Sequence, residues 1–344
     1  LNNATKDNAM LQVRYPLITS YTSDAHMLAI LSAYPHTEEW VFNNYINLLG
    51  EEPSIRNDFS ILRFHSWLIR KACPYFKIRY FDKKFFDSDI TEFIISKIDS
   101  GNYVTILYDQ YYIPSSTNYN RTHFAHELLI YGYDRKMKVF YVADFFENSR
   151  YTFAAEPFIH VERAIISALE SEPFSCNEIE FCNVNYKFNN YFLYNSLNNF
   201  LYSKNTIAEG ENVVFSDCEK EQIQKGKYIF GIKTYGLLKR ILSEVLHDIM
   251  DFSDIRPLHV ILDHKIMMCE RLKYLVNAGV LDGTDPIIAQ YSDIKDICQA
   301  NRNLFIKFGM TRDLGLIDKI FYKMDIMESL EIEAITYFIK KLSV

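Results

Sequence analysis

Two residues open the case for acid–base chemistry: His126 and, further along the chain, Asp144. The run HELLIYGYD that starts at His126 is rich in apolar and aromatic residues and reads as a strand. The polar turn DRKM follows, then KVFYVAD, ending at Asp144, so the two runs read as a hairpin. In an antiparallel pair the start of one strand lies beside the end of its neighbour, which sets His126 next to Asp144. A carboxylate there accepts one ring N–H, fixes the tautomer and stabilises an imidazolium, supplying the base and orienter of a nucleophilic triad. The third member is expected as a cysteine or serine at a helix N-terminus, where the dipole and free N–H groups lower a thiol pKa and can bind an oxyanion. The first predicted helix opens Ser23-Asp24-Ala25-His26, and Ala25 holds the place where a nucleophile is expected. Alanine cannot attack. Position 25 then stands for an engineered Cys→Ala change, for a natural loss that leaves a pseudoenzyme, or for a nucleophile that lies elsewhere, the first being the preferred reading.

These residues need elements to hold them. Residues 24–34 read as a helix with Ser23 or Asp24 as N-cap. Residues 38–49 and 58–72 also look helical, 76–81 alternate as a strand, and ITEFIISKIDSG is a helix stopped by Gly101. Strands are expected over 103–108, 127–134 and 138–144, with another near 158–166. Beyond about residue 185 long amphipathic stretches take over: 187–203, 234–251, 257–278, 284–300, and 313–342 in two pieces. The expected class is α+β. An N-terminal domain, 1–180, packs the nucleophile helix on an antiparallel sheet, and a mostly helical domain, 181–344, closes the substrate pocket.

Other residues are candidates for binding. Asp109, Tyr111, Tyr112 and Tyr119 fall in an irregular tyrosine-rich stretch before the histidine. They would line an acceptor pocket whose carboxylate attracts a cationic amine, or form a solvated loop with packed rings. His123 reads as structural or substrate-lining. His264, Lys265, Glu270 and Arg271 read as a solvated helix face, and Cys269 as core. Cys73 ends a helix, where the dipole would raise its pKa, so it is discounted as a nucleophile.

Composition narrows the classes. A net charge of −7, with no run of five basic residues, speaks against nucleic acid as a partner. No stretch of 18 apolar residues offers a membrane span, and the polar start LNNATKDNAM lacks the layout of a secretion signal. The six cysteines form no C-x-x-C pair and read as reduced thiols, so no metal and no disulfide frame is expected; phosphate-binding glycine motifs are absent as well. The sum is a cytoplasmic protein without a bound cofactor.

The histidine, the glycine six residues later in a hydrophobic strand and the aspartate closing the next strand resemble the papain-like superfamily, with a pattern similar to bacteriocin-leader peptidase domains. A closer resemblance is to the butirosin-biosynthesis protein H family. It rests on GNYVTILYDQYYIP from Gly101, HFAHELLIYGYD from His123, YVAD from Tyr141 and HVILDHKIMMCERLKYL from His259, and spans most of residues 15–340. The resemblance implies a transacylase like that of closthioamide assembly. An acyl group arrives as a carrier-protein thioester, its phosphopantetheine borne by the acyl or peptidyl carrier, passes to a cysteine and leaves on an amine or diamine. Papain-like peptidases carry a Gln oxyanion donor before the cysteine. The corresponding LITSYTSD has none, leaving Thr19, Ser20 or Ser23 as donors. A papain-like peptidase and a non-catalytic carrier- or peptide-binding protein are the competing readings.

Overall fold

A computed structural model describes residues 6–51, 62–86, 89–170, 174–206, 228–247 and 254–342. Cys218 and the outer parts of two expected helices, 58–61 and 248–251, lie outside them. The chain groups into two units, Leu1–Thr37 with Cys73–Tyr186, and Glu38–Ala72 with Lys187–Val344. The boundary expected near 180 thus falls at 186, and residues 38–72 group with the helical part.

The first unit is built on one antiparallel sheet. Its strands are β1 (Asn8–Met10), β4 (Phe76–Tyr80), β5 (Asn102–Asp109), β6 (Ala125–Asp134), β7 (Val139–Phe145), β8 (Tyr151–Pro157) and β9 (Cys176–Phe181). The order is β4-β9-β5-β6-β7-β8, with β1 pairing the far end of β6. Helices α1 (Thr22–Leu31), α4 (Ile90–Asp99) and α5 (Phe158–Leu169) pack on it. Period-two alternation divides the core. Val104, Ile106, Tyr108, Leu128, Ile130 and Val142 meet Ile94 and Ile98 of α4 and Val161 and Ile165 of α5. Tyr103, Leu129, Tyr131 and Ala143 meet Ala25, Ala29 and Ile30 of α1. Helix α4 stops where expected, with Gly101 following its end at φ +85°, and the structure adds Asp89 as the cap of its start, accepting from Glu92 N at 3.0 Å.

Several expectations change. Residues 158–166 are helix, not strand, because Val161, Ala164, Ile165 and Ala168 recur at helical spacing and are the buried ones. Helix α1 starts at Thr22: Tyr21, at φ −138°, is the extended N-cap, so Ser23 and Asp24 lie in the first turn. Strands β1, β8 and β9 were not foreseen, and residues 48–49 and 62–64, expected within helices, are strand.

The second unit holds α2 (Glu38–Asn44), α3 (Ser66–Ala72), α6 (Asn190–Leu201), α7 (Thr234–Leu246), α8 (Arg256–Asn277), α9 (Pro286–Thr311), α10 (Gly315–Leu342) and a small sheet of β2 (Leu48–Glu51), β3 (Leu62–Phe64) and β10 (Tyr228–Phe230). The stretch expected in two pieces is the single helix α10. The supposedly solvated face of α8 is the reverse: His264, Lys265 and Arg271 are fully buried. Buried charge persists only with partners. Glu331 accepts from Lys265 and from the Tyr235 hydroxyl. Lys265 also donates to His264 Nδ1 at 2.9 Å, and His264 Nε2 donates to Ile46 O at 2.8 Å. Arg271 donates to Phe42 O at 2.6 Å and Tyr45 O at 2.7 Å, closing the carbonyl end of α2. Among the described residues no helix is long and apolar enough to cross a membrane.

Candidate active site

His126 stands opposite Tyr108 in the β5–β6 ladder, and Asp144 lies near the end of β7. The His126 Nδ1 to Asp144 Oδ2 distance is 2.7 Å, with Asp144 fully buried. A carboxylate only accepts, so Nδ1 carries the proton and Nε2 presents its lone pair. That lone pair faces the Thr22 hydroxyl at 3.2 Å. Thr22 is the first residue of α1, and the first helical hydrogen bond of the turn runs from Ala25 N to Tyr21 O at 2.9 Å. The hydroxyl therefore sits at the positive end of the helix dipole, against a histidine oriented by a carboxylate.

Ala25 is elsewhere. It is wholly buried and packs with Ala29, Ile30, Leu129, Tyr131 and Ala143. The first-turn side chain that reaches His126 is therefore not that of residue 25 but that of Thr22, three residues earlier, because α1 begins earlier than its cap-like Ser23 and Asp24 suggested. Ser23 is half-buried in the first turn, and Thr19 is half-buried just before it. Ser20 is buried, and its hydroxyl has no hydrogen-bond partner among the described residues.

Rings surround the pair. Phe124 stacks on His126 at 5.7 Å and is half exposed, while Phe145 meets His126 edge-on at 6.3 Å. One helical turn past Thr22, His26 is buried. Its Nε2 donates to Glu127 O at 3.2 Å and its Nδ1 accepts from the Tyr151 hydroxyl at 2.9 Å. Burial lowers its pKa, against the opposing pull of Glu127 and Asp144, so it stays neutral and does not compete as a base.

The residues expected to line an acceptor pocket form a second cluster. Asp109 is buried. Its carboxylate accepts from His123 Nδ1 (2.6 Å), Ser167 (2.9 Å), Tyr111 N (3.0 Å) and Phe124 N (3.1 Å). Burial acts to raise its pKa, but those hydrogen bonds together hold it below the usual value. The carboxylate is thus engaged by four local donors. Tyr111 stacks on His123 at 4.2 Å and meets Tyr112 edge-on. Tyr112, with Arg163, Ile166, Ser167 and Glu170, lines a cavity of about 440 Å³. Tyr119 packs edge-on against His160 at 6.1 Å.

Two residues escaped the sequence reading, Thr22 and Tyr108. The Tyr108 hydroxyl donates to Asp144 Oδ2 at 2.5 Å. Its signal was its place in VTILYD, on the strand neighbouring that of His126. Cys73 is no rival: its thiol is pushed up to about 12, and burial, not the helix dipole, is the largest cause.

The family model of butirosin biosynthesis protein H, N-terminal region, matches residues 56–145. That span contains Tyr108, His126 and Asp144, and it begins after Thr22. The match supports a butirosin-biosynthesis-protein-H-like assignment for this segment. No curated protein matches the chain.

Proposed function

We propose that the chain is a papain-like acyltransferase that moves an acyl group from a carrier-protein thioester to an amine, with Thr22 as an oxygen nucleophile in place of cysteine. The observation that carries this reading is the continuous line of hydrogen bonds from Thr22 Oγ1 through His126 to Asp144 at the start of α1. The disabled-enzyme reading depended on Ala25, whose methyl group belongs to the core.

Thr22 Oγ1 attacks the thioester carbonyl while His126 Nε2 takes its proton. Collapse of the tetrahedral intermediate breaks the C–S bond, and the departing thiolate of phosphopantetheine receives that proton. The acyl group is now an oxygen ester on Thr22. An amine adds to the ester carbonyl, gives a proton to His126, and the C–O bond breaks as His126 returns the proton to Oγ1. The net change is thioester plus amine to amide plus thiol, with no cofactor consumed. The N–H groups of the first turn of α1, with the Ser20 hydroxyl, are the donors proposed for the oxyanion. The half-exposed Phe124 on the His126 ring favours acyl groups with a flat or apolar body. A thioester donor suits this nucleophile, since passing the acyl group from sulfur to oxygen is downhill.

The test is intact-protein mass spectrometry of the full chain with a panel of aromatic and aliphatic phosphopantetheine thioesters. The expected result is a mass gain equal to one acyl group, mapped to the Thr22 peptide and discharged as amide by a diamine. Thr22→Ala removes it, and His126→Ala slows it about a hundredfold or more. Absence of adduct and of amide across the panel refutes the proposal.

A further inference from the structure

Tyr108, Asp144 and His126 come from three neighbouring strands. β5 and β7 flank β6 and are roughly 10 Å apart, twice the strand spacing. Tyr108 nevertheless reaches Asp144, because a phenol is long enough to cross the intervening strand and ends in a donor. It lands on Oδ2, the same oxygen that accepts from His126 Nδ1. The other oxygen, Oδ1, is buried and has no hydrogen-bond partner among the described residues. Both donors therefore draw on one atom, and the carboxylate has no second site to share the load.

We infer that Tyr108 is a positioning residue for the His126–Asp144 pair, fixing which oxygen faces the imidazole and drawing charge from it, so that His126 binds a proton less tightly than it would beside Asp144 alone. The physical ground is simple. A neutral O–H donor on Oδ2 takes up part of the negative charge that would otherwise stabilise an imidazolium. Burial, then Asp144, pushes the Tyr108 phenol well above its ordinary value, so it remains a donor across the working pH range. Other charged or titratable groups around the pair are His26 on α1, Glu127 beside His126 on β6, and Tyr151 and Glu156 on β8. All of them are unchanged by a substitution at 108, so a shift in His126 reports on Tyr108.

The inference does not depend on the acyl-transfer reading, because its measurement is an equilibrium titration of His126 by proton–nitrogen NMR in the full chain. Tyr108→Phe deletes only the hydroxyl and is expected to raise the His126 pKa by about one unit, with the Nδ1–H tautomer retained. Site-specific 3-fluorotyrosine at 108, a stronger donor, is expected to move it the opposite way. Paired shifts of opposite sign are beyond a merely structural role, which would lower thermal stability and leave the titration in place. If Tyr108→Phe does not fold, the fluorotyrosine arm decides alone. An unmoved His126 pKa in the variant that folds overturns the inference. Where transfer is observed, the acid limb of its pH–rate profile is expected to follow the NMR shift. A titration shift without any transfer would leave this inference standing and remove the proposed function.

Discussion

A hydroxyl is a poor nucleophile until its proton has somewhere to go, and the place proposed for the Thr22 proton is His126 Nε2, 3.2 Å away. The same position gives a sharp test through sulfur. In Thr22→Cys, the thiol stands at a helix N-terminus beside an oriented histidine, a setting that favours thiolate. It should react with iodoacetamide at neutral pH at least tenfold faster than free cysteine. In Ala25→Cys the new sulfur enters a site with no exposure, packed by Ala29 and Leu129, and should stay unlabelled until the chain unfolds. Peptide-level mass spectrometry separates both from Cys182, which is half-buried, and from Cys73, Cys176 and Cys298, which burial pushes up to about 12. Equal labelling at 22 and 25, or faster labelling at 25, would return the nucleophile to position 25. The base and its orienter were legible because a hairpin brings His126 and Asp144 together by local pairing alone. The start of α1 was placed late because Ser23 and Asp24 look like caps, while the N-cap, Tyr21, makes no side-chain cap hydrogen bond and leaves no trace in residue type.

Among the elements, β6 carries the site and its far end is held by an unusual fit. The β6–β7 register shifts between Ile130 and Gly132, and β1 pairs with β6 where β5 has stopped. A Cβ on Gly132 would lie 2.7 Å from Ala9 O, 3.0 Å from Met10 Cα and 3.0 Å from the Tyr141 ring. Two of the three obstacles are backbone, so relief requires β1 to move. Gly132→Ala is expected to cost about 1–3 kcal/mol, the range for overpacking. Hydrogen exchange should quicken at Leu11 N, which donates to Tyr131 O at 2.7 Å, while α4, capped independently by Asp89, keeps its protection. Unchanged exchange at Leu11 would show that β1 tolerates the methyl group. The hairpin and the stop of α4 at Gly101 could be read in advance because alternation and turn residues are local. Strand 158–166 was misread because FIHVERAIIS offers an apolar run compatible with either period, and only the buried set 161, 164, 165, 168 decides it. β8 was missed because only two residues of YTFAAEP, Tyr151 and Glu156, are buried, so the apolar alternation that marks a half-buried strand is absent.

For the whole molecule, what binds residues 38–72 to the helical unit is long in sequence: Arg271 holds Phe42 and Tyr45 across 229 and 226 positions. No linker composition marks such an excursion, which is why a division near 180 was all that composition suggested. The grouping gives the second unit its own acid sensitivity. His65 donates or accepts through Nδ1 with Thr206 at 2.9 Å, and its pKa is pushed down to about 4, first by burial and then by Arg63. His259 is likewise pushed down to about 4 by burial and by Arg302, and His264 lies well below its usual value through burial, Lys265 and Arg271. In the unfolded chain each titrates near the ordinary histidine value of 6.5. Between the two values the unfolded state binds more protons, so stability falls as pH drops from 6.5 toward 4 and is fully present above 6.5. His65 alone accounts for up to roughly 3 kcal/mol over that window. Both tryptophans, Trp40 and Trp67, belong to this unit, so their fluorescence during urea unfolding reports on it selectively. Wild-type midpoints are expected to fall steeply between pH 6.5 and 4.5. His65→Gln, which keeps a polar partner for Thr206 without the titration, should flatten that slope by about a third, three buried histidines being responsible for it. A slope that His65→Gln leaves intact would mean that His65 does not carry the acid sensitivity of this unit, leaving it to His259 and His264.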